Sequence, residues 1–144
     1  MRLTSILSSL VIVATACSSA IDPTTPSAFP DVSVNAVAVR VAGHDSVTIT
    51  ITNGRDSDVF LLRCGQGPRL LTQQHIGELW VGGVQNFMCP VPAAPGQVRL
   101  APGHQIVLTR VFDITGRYRV LVTVGTNDDL ADAATVYSNG FDVP

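Results

Sequence analysis

Three histidines, eleven carboxylates and three cysteines are the side chains of this 144-residue sequence that could do chemistry or hold a metal. His44, Asp45 and Ser46 supply the residue types of a nucleophilic triad in one unbroken run. Neighbours in an extended chain point to opposite faces, however, and a triad is defined by spatial geometry rather than adjacency. No G-x-S-x-G turn is present to expose a serine at a strand-to-helix junction. His44, His75 and His104 stand at no metal-ligand spacing from one another or from the cysteines. Asn127-Asp128-Asp129-Leu130-Ala131-Asp132 carries several oxygens that suit a hard cation, but it lacks the glycine and terminal glutamate of an EF-hand loop. It reads as a solvated acidic loop. The expectation is therefore a non-catalytic protein with no cofactor and no bound metal.

Binding residues are better supported. Arg117 and Arg119 share one face of a strand and could grip an acidic partner, or lay their stems over an exposed sheet face. Trp80, the single tryptophan, and Phe87 fall near the stretch between Cys64 and Cys89, as a recognition patch or as core. Charge narrows the partner class. Only 14% of residues are charged and the net charge is −2, which provides no electrostatic footprint for nucleic acid. All nine basic residues are Arg and ten of the eleven acids are Asp, a bias we attribute to genomic composition.

The N-terminus has the layout of an export signal. Met1-Arg2 is a short positive region, Leu3 to Val13 is apolar, and Ala14-Thr15-Ala16 are small. An apolar stretch of 11 residues suits a signal and is too short to span a bilayer. Residues 1–16 are thus expected to be a signal peptide. Residues 17–30, rich in Ser, Thr, Pro and Ala without period, read as a tether. Residues 31–144 are long enough for one domain with its own core.

Within that domain, Ser46 to Thr52 alternates polar and β-branched residues, which predicts a strand with Val47, Ile49 and Ile51 inward. Val32 to Val41 changes phase after Val34, which predicts a bulge near Asn35-Ala36. Val59 to Leu62 leads as a strand to Cys64. Arg69–His75 and Glu78–Val81 flank a tight turn at Ile76-Gly77, and Gly82 to Gln97 reads as a long loop pinned by Cys89. Leu100-Ala101-Pro102-Gly103 is a turn, because Pro presets φ and Gly accepts positive φ. His104 to Phe112 is a strand of unassigned phase. In the next strand Tyr118, Val120, Val122 and Val124 alternate with Arg117, Arg119, Leu121 and Thr123. The acidic loop, with room for one helical turn, and edge segments at Ala133–Tyr137 and Phe141–Val143 complete the chain. Some seven or eight short strands, with frequent Gly/Pro turns and no helical period, predict an antiparallel β-sandwich.

Three resemblances extend this reading. Ala14-Thr15-Ala16-Cys17 resembles a bacterial lipobox, which implies lipidation of Cys17 and an exported, membrane-anchored protein; the same residues satisfy an ordinary A-x-A cleavage site, which implies a freely secreted domain. Lipidation would account for the odd cysteine and leave Cys64 and Cys89 as a pair for a disulfide, the alternative being two separate buried thiols. That bridge would remove roughly 3.5 kcal/mol of unfolded-chain entropy. Asp113-Ile114-Thr115-Gly116-Arg117-Tyr118-Arg119-Val120 resembles the tyrosine corner of immunoglobulin-like domains, which assigns Tyr118 a bond back to the backbone. Residues 45–125 are similar in layout to bacterial secreted immunoglobulin-like domains of the intracellular proteinase inhibitor type. The resemblance implies an immunoglobulin-like sandwich, and a fold hosts many functions. The expected role is an envelope module that binds another envelope protein, with proteinase inhibition through the 82–97 loop as the alternative.

Overall fold

The structure, a computed structural model, describes residues 27–41, 44–82, 87, 89 and 96–144. The expected signal peptide, Cys17, most of the expected tether and most of the 82–97 loop lie outside the described residues.

Eleven strands are present: β1 (Val32–Val41), β2 (His44–Asn53), β3 (Val59–Cys64), β4 (Gly67–Pro68), β5 (Leu70–Ile76), β6 (Leu79–Gly82), β7 (Gln97–Leu100), β8 (Gln105–Phe112), β9 (Gly116–Gly125), β10 (Ala134–Tyr137) and β11 (Phe141–Val143). The count exceeds seven or eight because short strands add to it: the segments expected at Glu78–Val81, Ala133–Tyr137 and Phe141–Val143 form β6, β10 and β11, and β4 and β7, of two and four residues, were not expected. Segments as short as these last two carry too few alternations to be read singly.

Two antiparallel sheets form a sandwich. One has the order β1-β2-β8. The other is organised on β9, which pairs with β5 and β3 along one edge and with β10 and β11 along the other. β7 extends the second sheet from β3, and β6 extends it from β5. Sequence alternation sets which faces meet. Val47, Ile49 and Ile51 of β2 and Tyr118, Val120, Val122 and Val124 of β9 turn inward and are essentially inaccessible. Burial of each such side chain contributes about 1.5–3 kcal/mol before entropy is counted.

β1 corrects one expectation. It pairs with β2 without interruption from Val32↔Asn53 to Val41↔His44, so there is no bulge at Asn35-Ala36. The apolar phase change has another cause. Ala36 keeps the inward register of Val32 and Val34, while Val37 and Val39 face solvent at about half exposure. β8 takes an inward phase at Ile106, Leu108, Arg110 and Phe112, opposite the buried residues of β2. No helix forms over Asn127–Asp132, where turns and a positive φ at Leu130 carry the chain round. The β5–β6 turn falls at Gly77-Glu78, one residue later than expected, with Ile76 paired to Leu79.

The domain also starts earlier than residue 31. Phe29 is buried in the core, its N–H donates to the Ser27 hydroxyl, and its carbonyl accepts from Val32 N–H. The Arg55 guanidinium lies 5.9 Å from the Phe29 ring centroid. A single aromatic anchor is invisible to a composition that is otherwise Ser, Thr and Pro.

Asn53 ties the turns together. Its fully buried amide donates to the carbonyls of Ser57 and Leu100, both at 2.9 Å, and its Oδ1 accepts from Arg55 N–H at 3.0 Å. The side chain thus satisfies backbone groups of two separate connections that would otherwise be buried without partners.

Candidate functional site

The outer face of the second sheet carries the chemistry. Residues of β9 that alternate with the core positions point outward, and Gln73 of β5 stands directly opposite Arg119. Leu121, the next outward residue of β9, faces Leu71 of β5 on one side and Tyr137 of β10 on the other. Trp80 of β6 stands opposite His75 of β5. β6, β9 and β10, with β5 between the first two, therefore deliver an Arg and two rings to one patch.

Arg119 is stacked between those rings. Its guanidinium carbon lies 4.5 Å from the Trp80 ring centroid and 4.4 Å from the Tyr137 centroid. Its Nε donates to Gln73 Oε1 at 2.8 Å, which fixes the plane of the fork. His75 packs against the far part of the patch, 4.9 Å from Trp80 between centroids and tilted by 59°. A planar guanidinium between two aromatic faces is attracted to both ring quadrupoles and holds its orientation at low entropic cost. Leu71 is 43% exposed and Tyr137 36% exposed, so the patch presents apolar and polar surface together. Such a surface can recognise a partner by shape and hydrogen bonding.

The predicted binding residues divide. Trp80 and Arg119 are brought together. Trp80 is not core, contrary to the usual place of a lone tryptophan in a small sandwich. Arg117 lies on the same side of β9, exposed, opposite Asp142 of β11 and against Gly140. Phe87 takes a different place. Its ring packs on Phe112 at 5.3 Å, next to the core, with the Arg110 guanidinium 5.9 Å from its centroid. Its contacts are with the aromatic cluster of Phe112, Tyr118 and Phe141, not with Trp80. Gln73, His75 and Tyr137 were missed by the sequence reading. Parity alone would have placed them outward, but nothing in the sequence indicates that β6 and β10 flank β5 and β9.

Tyr118 donates its hydroxyl to the Ile114 carbonyl at 3.0 Å across the β8–β9 connection. Burial raises its pKa and keeps the phenol a donor. Cys64 and Cys89 are joined in a disulfide with Cα atoms 5.2 Å apart, which fastens the middle of the 82–97 segment to the end of β3.

The residues considered for catalysis and metal binding are engaged elsewhere. Asp45 is buried and held by a two-pronged ion pair from Arg40, both contacts at 3.1 Å, on the face opposite His44 and Ser46. His104 Nδ1 is 3.0 Å from the Pro102 carbonyl within its own turn. Asp129 accepts from Ala131 N–H, and Asp132 accepts from the Thr126 N–H and hydroxyl. These bonds lower the Asp132 pKa, the hydroxyl contributing most. Among the described residues, no group of three or more His, Cys, Asp or Glu could hold a metal ion, and no helix is long and apolar enough to cross a membrane.

Neither a protein-family model nor a curated protein matches the chain.

Proposed function

We propose that this chain is an exported, non-catalytic binding module of immunoglobulin-like type, held at the cell envelope through a lipid on Cys17, that contacts another envelope protein. The observation that carries the reading is the Trp80–Arg119–Tyr137 stack on an exposed sheet face. Aromatic residues and Arg are the side chains that dominate protein interfaces. Here they are pre-oriented by Gln73 and by each other, which lowers the ordering cost of binding. The disulfide supports an oxidising compartment.

The test pairs two captures. Photo-crosslinking in intact cells, from a probe at Leu71 beside the stack, should yield a discrete adduct with the native chain and lose it with Arg119→Glu. Circular dichroism of that variant should match the native chain. Equal recovery with both chains would overturn the assignment of the face, and the lack of any adduct would overturn the binding role. Mass spectrometry of the N-terminal peptide should find acyl chains on Cys17; an unmodified cysteine would make the domain a secreted one.

A further inference from the structure

The three-stranded sheet has two edges, and the protein treats them differently. Asn53 N–H donates to the His104 carbonyl, so hydrogen-bonded pairs between β2 and β8 recur at every second residue of the Gln105–Phe112 register. The N–H and C=O groups of Ile106, Leu108, Arg110 and Phe112 therefore face β2. Those of Val107, Thr109 and Val111 point away from it. The bond from Arg110 to the Thr109 carbonyl at 2.9 Å agrees with this parity. By the same alternation, Val32, Val34, Ala36, Ala38 and Arg40 of β1 direct their groups off the sheet. The first three, over half of that edge, are occupied. Val32 N–H bonds Phe29, Val34 forms a parallel bridge with Ser138, and the Asn139 amide bonds both the N–H and the C=O of Ala36, at 2.8 and 2.9 Å. Along β8, among the described residues, the Arg110 guanidinium is the corresponding guard, and it serves Thr109 alone.

We propose that β8 is a self-association edge, through which two copies of this chain pair antiparallel about a two-fold axis at Thr109. The occupant is a second copy because the strand is self-complementary. Ile106-Val107-Leu108-Thr109-Arg110-Val111-Phe112 has the same outward triplet, Val-Thr-Val, read in either direction. About Thr109, Val107 meets Val111 of the second copy, Thr109 meets itself, and Ile106 meets Phe112. The groups left pointing off β8 are then the groups that bond each other. Arg110, the single charge in β8, falls opposite Leu108 of the second copy, so like charges do not meet. Val107 and Val111, about half exposed, gain a continuous six-stranded sheet face. One strand pair is smaller than the roughly 1,200–2,000 Å² of a stable specific interface, so the dimer is weak and concentration-dependent. The edge belongs to the other sheet from the Trp80–Arg119–Tyr137 face and stands or falls without it.

Sedimentation equilibrium of the full chain carrying Cys17→Ser reads the association. Monomer–dimer exchange is expected; a monomer at all concentrations overturns the proposal. Thr109→Pro removes an N–H that points off the edge, a position where proline is tolerated. It should weaken the dimer by roughly tenfold or more. An unchanged dissociation constant overturns the proposal. Arg110→Ala removes the guard and should tighten the dimer, a sign opposite to mere destabilisation. Should Thr109→Pro fail to fold, oxidation of Thr109→Cys decides: it should give a disulfide-linked dimer where Thr48→Cys, one strand inward on the same face, gives none. Equal cross-linking at the two positions overturns the register.

Discussion

The two faces of β9 differ in what they respond to. Its inward residues, Tyr118, Val120, Val122 and Val124, are sealed between the sheets, where every removed atom leaves a hole that packing cannot refill. Its outward residues rest on neighbours from β5, β10 and β11: Arg117, Arg119 and Thr123 keep contact with water, while Leu121 is covered between Leu71 and Tyr137. One backbone positions both sets. The inner set should therefore govern stability, and the outer set should govern what the surface can hold.

Substitutions that break this division have a clear order. Val122→Ala should cost about 2–3 kcal/mol in chemical denaturation, combining lost transfer energy with a cavity. An effect below about 1 kcal/mol would mean that the inner face is loosely packed. Tyr118→Phe deletes the bond to Ile114 with little change of volume and should cost about 1–1.5 kcal/mol, read from the same curves. Arg119→Ala should cost no more than about 1 kcal/mol, since its stacking is at an exposed face. The same change should shift Trp80 fluorescence and abolish the proposed partner contact, and Arg119→Lys should restore neither, because an ammonium is not planar. Arg117→Ala should change stability by less than about 0.5 kcal/mol. A larger loss there would erase the distinction between the faces.

The smallest effect lies in the loop after β9. Asp132 has a lowered pKa in the folded protein, so its bonds to Thr126 are present above the unfolded aspartate value of about 3.9 and are lost as pH falls through the lower folded value. Amide exchange at Thr126 should accelerate only in that acid range, and Asp132→Asn should remove the pH dependence.

Much of this was legible in the sequence. The alternations in β2 and β9 identified their buried faces, the D-x-x-G-x-Y-x-V pattern placed the tyrosine, and two of three cysteines were assigned to the bridge that forms. β1 was misread because beyond Val34 its inward positions, Ala36 and Ala38, are alanine and its outward ones, Val37 and Val39, are valine. Periodicity reports hydrophobicity, and a small residue facing a thick core looks the same as a residue out of phase. Phe87 was grouped with Trp80 because both precede Cys89, although sequence proximity says nothing about which sheet a ring enters.

Local chemistry by itself determined the turns, the strands with strict alternation and the absence of a helical pattern, because φ preferences and side-chain parity act within a few residues. Only the tertiary structure decided which strands are neighbours. The Trp80–Arg119–Tyr137 stack joins residues from β6, β9 and β10, Asn139 seals an edge 103 residues away, and β8 ends the three-stranded sheet. Strand order is set by how whole faces bury against each other, a cooperative property that no short stretch of sequence carries.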